Sequence, residues 1–169
     1  WCMELSVGIE DLITPANSTL EIREGYSKRL KEGSLTREEN PVSHFCAYFL
    51  PYRPRRKEIF VIAHKKSGLW LSPGGHINKG ETPIETIKRE MWEELGVKNM
   101  IDDRARPPLL TITYIKQDVR PCKIHFDLWY FIPIDEAGLA KAKEGEFDEA
   151  RWVSLDEARR IITDECNLQ

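Results

Sequence analysis

The chain has 169 residues, 41% of them hydrophobic and 31% charged, with a formal net charge of −3. That length suits one domain able to bury a core without staples, and the composition is that of a soluble globular protein. The slightly acidic balance gives no general attraction for nucleic-acid backbone, and the longest apolar runs, Phe45 to Leu50 and Leu128 to Ile134, are far too short to span a membrane.

The chain opens on Trp1, so the native start is expected upstream, and no secretory-leader pattern stands at this end. Ser18-Thr19-Leu20-Glu21 is a capping-box pattern that predicts an amphipathic helix running to about Lys31 and stopped by Gly33. Ile22, Tyr26 and Leu30 recur every fourth position, one stripe toward the main domain. Residues 34–42 are polar, include Pro41 and look like a connector. Residues 1–41 are therefore expected to form an N-terminal helical extension, and 42–169 the main domain.

Two strand-like runs follow, His44 to Leu50 and Glu58 to His64, rich in aromatic and branched residues. Between them Arg53, Arg55, Arg56 and Lys57 read as a solvated hairpin loop, with a phosphate- or partner-contacting loop as the other reading. Thr82-Pro83-Ile84-Glu85 starts a second helix, with a capping Thr, Pro at the first helical position and Glu three after the cap. Gly96 ends it. Ile84, Ile87, Met91 and Leu95 make its buried side, so its carboxylates are expected to point away from the core, toward a cleft. Leu109 to Lys116 and Lys123 to Ile132 are the next strands, and Ala150 to Val153 a short last one. Ser154-Leu155-Asp156-Glu157 then caps a closing helix of about Leu155 to Glu165. Helix, strands, helix, strands, helix suits a sheet covered on both faces.

Chemistry concentrates on the second helix. Glu90, Glu93 and Glu94 stand at i, i+3 and i+4, neighbours with Cβ atoms roughly 5–6 Å apart. Three like charges that close repel unless a cation sits among them, and hard divalent ions take carboxylate and phosphate oxygens together. The pattern points to a Mg²⁺ or Mn²⁺ site that handles a phosphorylated ligand, with Glu90 and Glu94, one turn apart, as metal ligands. Arg89 can pair with Glu93 across one turn; a guanidinium cannot act as a base, so positioning is its role in catalysis. Gly74 and Gly75 let the backbone come close to a ligand. Glu81 reads as a charge at the helix N-terminus or as a further metal ligand. Cys2, Cys46, Cys122 and Cys166 are scattered and form no CxxC pair. Neither a disulfide framework nor a zinc site is expected, and the reducing cytoplasm is the natural compartment.

Residues 75–97 run Gly75-x5-Glu81-x7-Arg89-Glu90-Met91-x-Glu93-Glu94-x-Gly96-Val97. This resembles the signature of the Nudix hydrolase family at every fixed position, with Met91 and Val97 at its bulky aliphatic sites. The match covers 23 of 169 residues, and its seven specified and two apolar positions arise by chance in on the order of one in ten million such chains. The resemblance implies an α/β/α sandwich with a mixed sheet. It also implies a Mg²⁺-dependent hydrolase cleaving the pyrophosphate linkage of a nucleoside di- or triphosphate, or of a nucleoside diphosphate linked to another moiety. Metal would be held by Glu90 and Glu94 with the Gly74 carbonyl, while Glu93 ligates metal or deprotonates the attacking water. A further catalytic carboxylate on a loop is expected at Glu146, with Glu149 as second choice.

Gly75, His76, Tyr114 and His125 are the candidate substrate contacts. Tyr114, 17 residues after Val97, is similar to a marker of dinucleoside polyphosphate hydrolases; core or cleft wall is its other reading. His125 and Asp127 share one sheet face and line either the cleft or a wet sheet edge. Trp70, Trp129 and Phe131 offer base-stacking surfaces or core packing. The expected partner is a small nucleotide-type molecule, with neither nucleic acid nor membrane, and the N-terminal helix offers a homodimer element. Two rival readings are a nucleotide-sensing module without turnover and an isopentenyl diphosphate isomerase-like enzyme; the intact carboxylate set speaks against both.

Overall fold

Two long strands, buried on both faces, organise the molecule. The computed structural model describes residues 2–65, 68–98, 100–116, 121–134 and 147–163. Strand β1 (Ser43–Arg53) runs parallel to β6 (Ile124–Pro133), from Ser43 opposite Ile124 to Tyr52 opposite Pro133. Covered on both sides, they read as nearly unbroken apolar and aromatic runs rather than as alternating ones. Strand β5 (Leu109–Tyr114) pairs antiparallel with β6 beyond. Strand β4 (Gly74–His76) pairs with Cys46 to Tyr48 of β1, and β2 (Glu58–His64) with its Tyr52 and Arg53. Strand β2 also carries β3 (Leu69–Leu71) and β7 (Phe147–Ser154), making a mixed sheet of seven strands among the described residues.

Successive strand residues face opposite sides, so β1 sorts into two sets. Phe45, Ala47 and Phe49 join the main core with Leu5 and Ile9 of α1 (Cys2–Glu10), Tyr26 and Leu30 of α2 (Leu20–Glu32) and Ile87 of α3 (Pro83–Glu90). His44, Cys46 and Tyr48 look the other way. On that side Val61 and Val153 pack against Ala158 of α4 (Leu155–Ile161). Helices on both faces make the expected α/β/α sandwich.

Helix α2 holds its predicted span because Thr19 accepts from the Ile22 amide and Gly33 ends it at φ 69°. Tyr26 anchors it: the ring lies edge-on to Phe45 and Phe126, and the hydroxyl donates to the Asp127 carbonyl at 2.7 Å. Arg29 is buried and donates to the carbonyls of Gly33, Ser34 and Ser43 at 2.7 Å each, tying the helix end to β1. Helix α1 carries no cap pattern that would announce it. Strand β1 extends through Arg53, part of the predicted loop, where the guanidinium pairs with Glu58 at 3.3 Å and lies 3.9 Å from the Trp152 ring centroid. Strand β7 begins earlier than predicted, at Phe147, and α4 ends at Ile161; residues 164–169 lie outside the described ones. Among the described residues no helix is long and apolar enough to cross a membrane.

Candidate active site

Thr82 and Glu85 close the capping box in both directions, and Pro83 opens α3. Past Glu90 the backbone widens into a π-helical turn, Met91–Leu95, which Gly96 terminates in the left-handed conformation at φ 66°. Such turns insert one residue into a helix and are frequent at functional sites. The three carboxylates differ in exposure. Glu93 stays exposed, but Glu90 and Glu94 are 8% and 4% exposed, contrary to the expectation that all would point away from the core. They turn inward because the backbone beneath them is glycine. The Gly74 amide donates to Glu94 Oε2 at 2.9 Å, and the Glu90 carboxylate lies where a Gly75 side chain would be.

Arg89 is the hub. Its Nε donates to Glu81 Oε1 at 2.7 Å, Nη1 to Glu90 Oε1 at 2.7 Å and to Glu93 Oε2 at 3.0 Å, and Nη2 to the His76 carbonyl at 3.1 Å. Burial opposes the charge on Arg89, yet Glu81 and Glu90 raise its pKa further above the ordinary value. Glu81 does not cap α3, since Thr82 does. Its carboxylate instead accepts from the Asn78 amide at 3.1 Å and the Thr86 hydroxyl at 2.9 Å, so it clamps the glycine turn to Arg89. Burial pushes the Glu81 carboxyl up, but the bonds from Arg89, Asn78 and Thr86 outweigh it and hold its pKa below the ordinary value.

The two glycines are expected to fail differently. Gly74 has φ 131°, and a Cβ there would come within 2.6 Å of the Ala47 carbonyl oxygen, so Gly74→Ala should cost stability on the order of 1–3 kcal/mol. In Gly75→Ala the new methyl overlaps the Glu90 carboxylate. That variant should melt near the wild type but bind Mg²⁺ about 10–100-fold more weakly by calorimetric titration.

Gly74, Gly75, Glu81, Arg89, Glu90, Glu93 and Glu94 thus come together. Other expected site residues do not join them. His76 follows Gly75 and projects to the opposite sheet face, where it meets His125 with ring centroids 5.2 Å apart. Tyr114 is 69% exposed and pairs with Ile124, on the face away from His125. His125 and Asp127 are buried, because β6 lies between β1 and β5; the wet-edge reading is wrong. Trp129 is buried, stacks on Tyr48 at 5.0 Å and donates to the Thr111 hydroxyl at 2.9 Å, whereas Phe131 is exposed. Glu146 lies outside the described residues. Glu149 belongs to β7, opposite Ala63 and paired with Arg151 at 3.6 Å, not to a loop.

The structure also gathers residues that the sequence did not single out. His44 and Cys46 of β1 stand beside His76 and His125, a nitrogen and sulfur donor set separate from the carboxylates. Alternation on each strand was visible; that β1 would lie beside both β4 and β6 was not.

Residues 43–166 match the family model of the NUDIX domain. The chain belongs to the NUDIX family. This NUDIX chain is 30% identical over 101 residues to the RNA pyrophosphohydrolase of Psychrobacter arcticus, across 50% of this chain and 56% of that protein. It is 30% identical over 90 residues to the phosphatase NudJ of Escherichia coli K12, across 53% and 54%. The chain therefore spans about half the length of these curated relatives. Among solved structures, the E. coli dihydroneopterin triphosphate pyrophosphohydrolase superposes with a TM-score of 0.61 at 16% identity, over 74% of this chain and 90% of that one. The MutT protein from Methanosarcina mazei Go1 does so at 0.56 and 21%, over 75% and 87%. Likeness at such identities carries the fold alone.

Proposed function

We propose that this NUDIX chain is a Mg²⁺- or Mn²⁺-dependent pyrophosphohydrolase. Its substrate is a nucleoside di- or triphosphate, or a nucleoside diphosphate linked to another moiety. The arrangement around Arg89 carries this reading: one guanidinium binds three carboxylates, Glu81, Glu90 and Glu93, with Glu94 buried alongside. The negative charges outnumber the positive one, and the donors are all oxygen, the set that hard divalent ions choose. Glu90 and Glu94, with the Gly74 carbonyl, would hold the ion. Once bound it supplies Lewis acidity toward the diphosphate and a water of lowered pKa.

Glu93, exposed at the end of the Arg89 contacts, takes the proton of the attacking water. The water oxygen bonds to phosphorus as the bridging anhydride P–O bond breaks, and the departing phosphate leaves with the electron pair. Gly75 and the exposed Tyr114 remain the proposed substrate contacts, and Glu146 the proposed second carboxylate. The free, buried thiols of Cys46 and Cys122 suit a reducing cytoplasm. Relatives named RNA pyrophosphohydrolase support the anhydride chemistry.

A chromatographic product screen tests this. It covers nucleoside triphosphates, dinucleoside polyphosphates, ADP-ribose, nucleotide sugars and a 5′-triphosphorylated RNA, with Mg²⁺ and with chelator. Cleavage of one class with Mg²⁺ alone is expected; no product from any class, with Mg²⁺ binding verified, favours the sensor instead. Mg²⁺ at a hundred times its Kd should also stabilise the fold by about 2.7 kcal/mol. On a domain this size that is about 5–11 °C in Tm, and Glu90→Gln should abolish most of the shift.

A further inference from the structure

We propose that His44, Cys46, His76 and His125 form a second metal site, apart from the carboxylates, that takes a borderline divalent ion, Zn²⁺ above all. Strand register delivers the four side chains to one face: His44 lies opposite His125 across the parallel pair, and Cys46 lies between His76 on β4 and Asp127 on β6. One ligand atom from each falls within 4.8 Å of all the others. Tetrahedral zinc with bonds of about 2.0–2.3 Å needs donors roughly 3.3–3.8 Å apart, so small side-chain rotations close the site. Three imidazoles and a thiolate favour zinc and reject magnesium.

Two further observations mark this as more than a polar core. His125 Nε2 is buried without a hydrogen-bond partner among the described residues, and an unsatisfied buried group of that kind costs about 1–3 kcal/mol. His44 Nδ1 contacts the Asn40 carbonyl at 2.9 Å. A carbonyl only accepts, so Nδ1 carries the proton and the lone pair stays on Nε2, the outer-shell arrangement of histidine ligands. Cys122 Sγ, 3.8 Å from that Nε2, puts a second thiol at the rim.

The Cys46 thiol gives its proton to solvent as it ligates the ion. Two positive charges then meet one thiolate and the neighbouring carboxylate, leaving the buried site neutral. The ion would pin β1, β4 and β6 together on the sheet face opposite Gly75. Scattered cysteines without CxxC spacing hid this, because the donors come from three strands.

Titration of the metal-free, full-length protein with Co²⁺ tests the site without any assay of activity. With the carboxylate site filled by excess Mg²⁺, one equivalent should bind, with thiolate-to-cobalt charge-transfer and tetrahedral ligand-field absorption, and Zn²⁺ should displace it. Cys46→Ser should remove the charge-transfer band, His125→Gln should weaken Zn²⁺ binding by about tenfold or more, and Glu90→Gln should change neither. Circular dichroism verifies each variant's fold. A wild-type protein without the band at one equivalent overturns the proposal, whatever the variants do. So does a band that survives in folded Cys46→Ser or disappears in Glu90→Gln.

Discussion

Glu93→Gln is expected to lower kcat by about 10²–10⁴-fold and to leave substrate Kd nearly unchanged. The amide keeps the size of the carboxylate and still accepts from Arg89 Nη1, now at 3.0 Å from Glu93 Oε2. What it loses is the ability to take a proton. Because the Glu93 side chain is 55% exposed, stability should move by no more than about 0.5 kcal/mol. The acid limb of the kcat/KM profile should disappear with the base. Steady-state kinetics across pH, paired with equilibrium binding of substrate under Ca²⁺, separates the roles. Unchanged turnover sinks the assignment and moves the base to Glu146. A collapse of Mg²⁺ affinity with kcat would instead make Glu93 a metal ligand.

Much of the frame is legible in the sequence, and particular residues show why. Capping chemistry is local, so Thr19 and Thr82 announced α2 and α3, and Gly33 and Gly96 ended the helical segments where expected. Alternation is local too, which put His125 and Asp127 on one face. Register is not local. Nothing within β6 states that it will run parallel to β1, so neither the burial of His125 nor its meeting with His44 could be read. The inward turn of Glu90 and Glu94 was hidden for the same reason: it depends on the glycine backbone of β4 and on a π-helical turn with no sequence marker. Glu81 was near α3 in sequence, but its role was set by the reach of Arg89 from two turns away.

Arg89→Ala should be the most damaging substitution to the fold around the site. It removes the guanidinium from Glu81 and Glu90, whose side chains are 22% and 11% exposed against 24% for Arg89. Breaking a buried pair costs 3–5 kcal/mol, and these exposures argue for the low end, about 3 kcal/mol or about 6–12 °C in Tm. Arg89→Lys restores the charge but not the fork that spans Glu81, Glu90 and the His76 carbonyl, so it should recover only part of the loss. Glu81 has a lowered carboxyl pKa, so its stabilisation is present at neutral pH and is lost as pH falls through that value. The gap between wild type and Arg89→Ala should therefore narrow on acidification. It should also narrow with Mg²⁺, because the ion replaces positive charge beside Glu90, and the variant should gain more Tm from the ion than the wild type does. Thermal melts of the three proteins across pH, with and without Mg²⁺, decide the matter. If Arg89→Ala melts within a degree of the wild type, the contacts are worth no more than surface ion pairs, and β4 and the segment after it are held without the guanidinium, by contacts such as those of Gly74 with Glu94 and of Glu81 with Asn78 and Thr86.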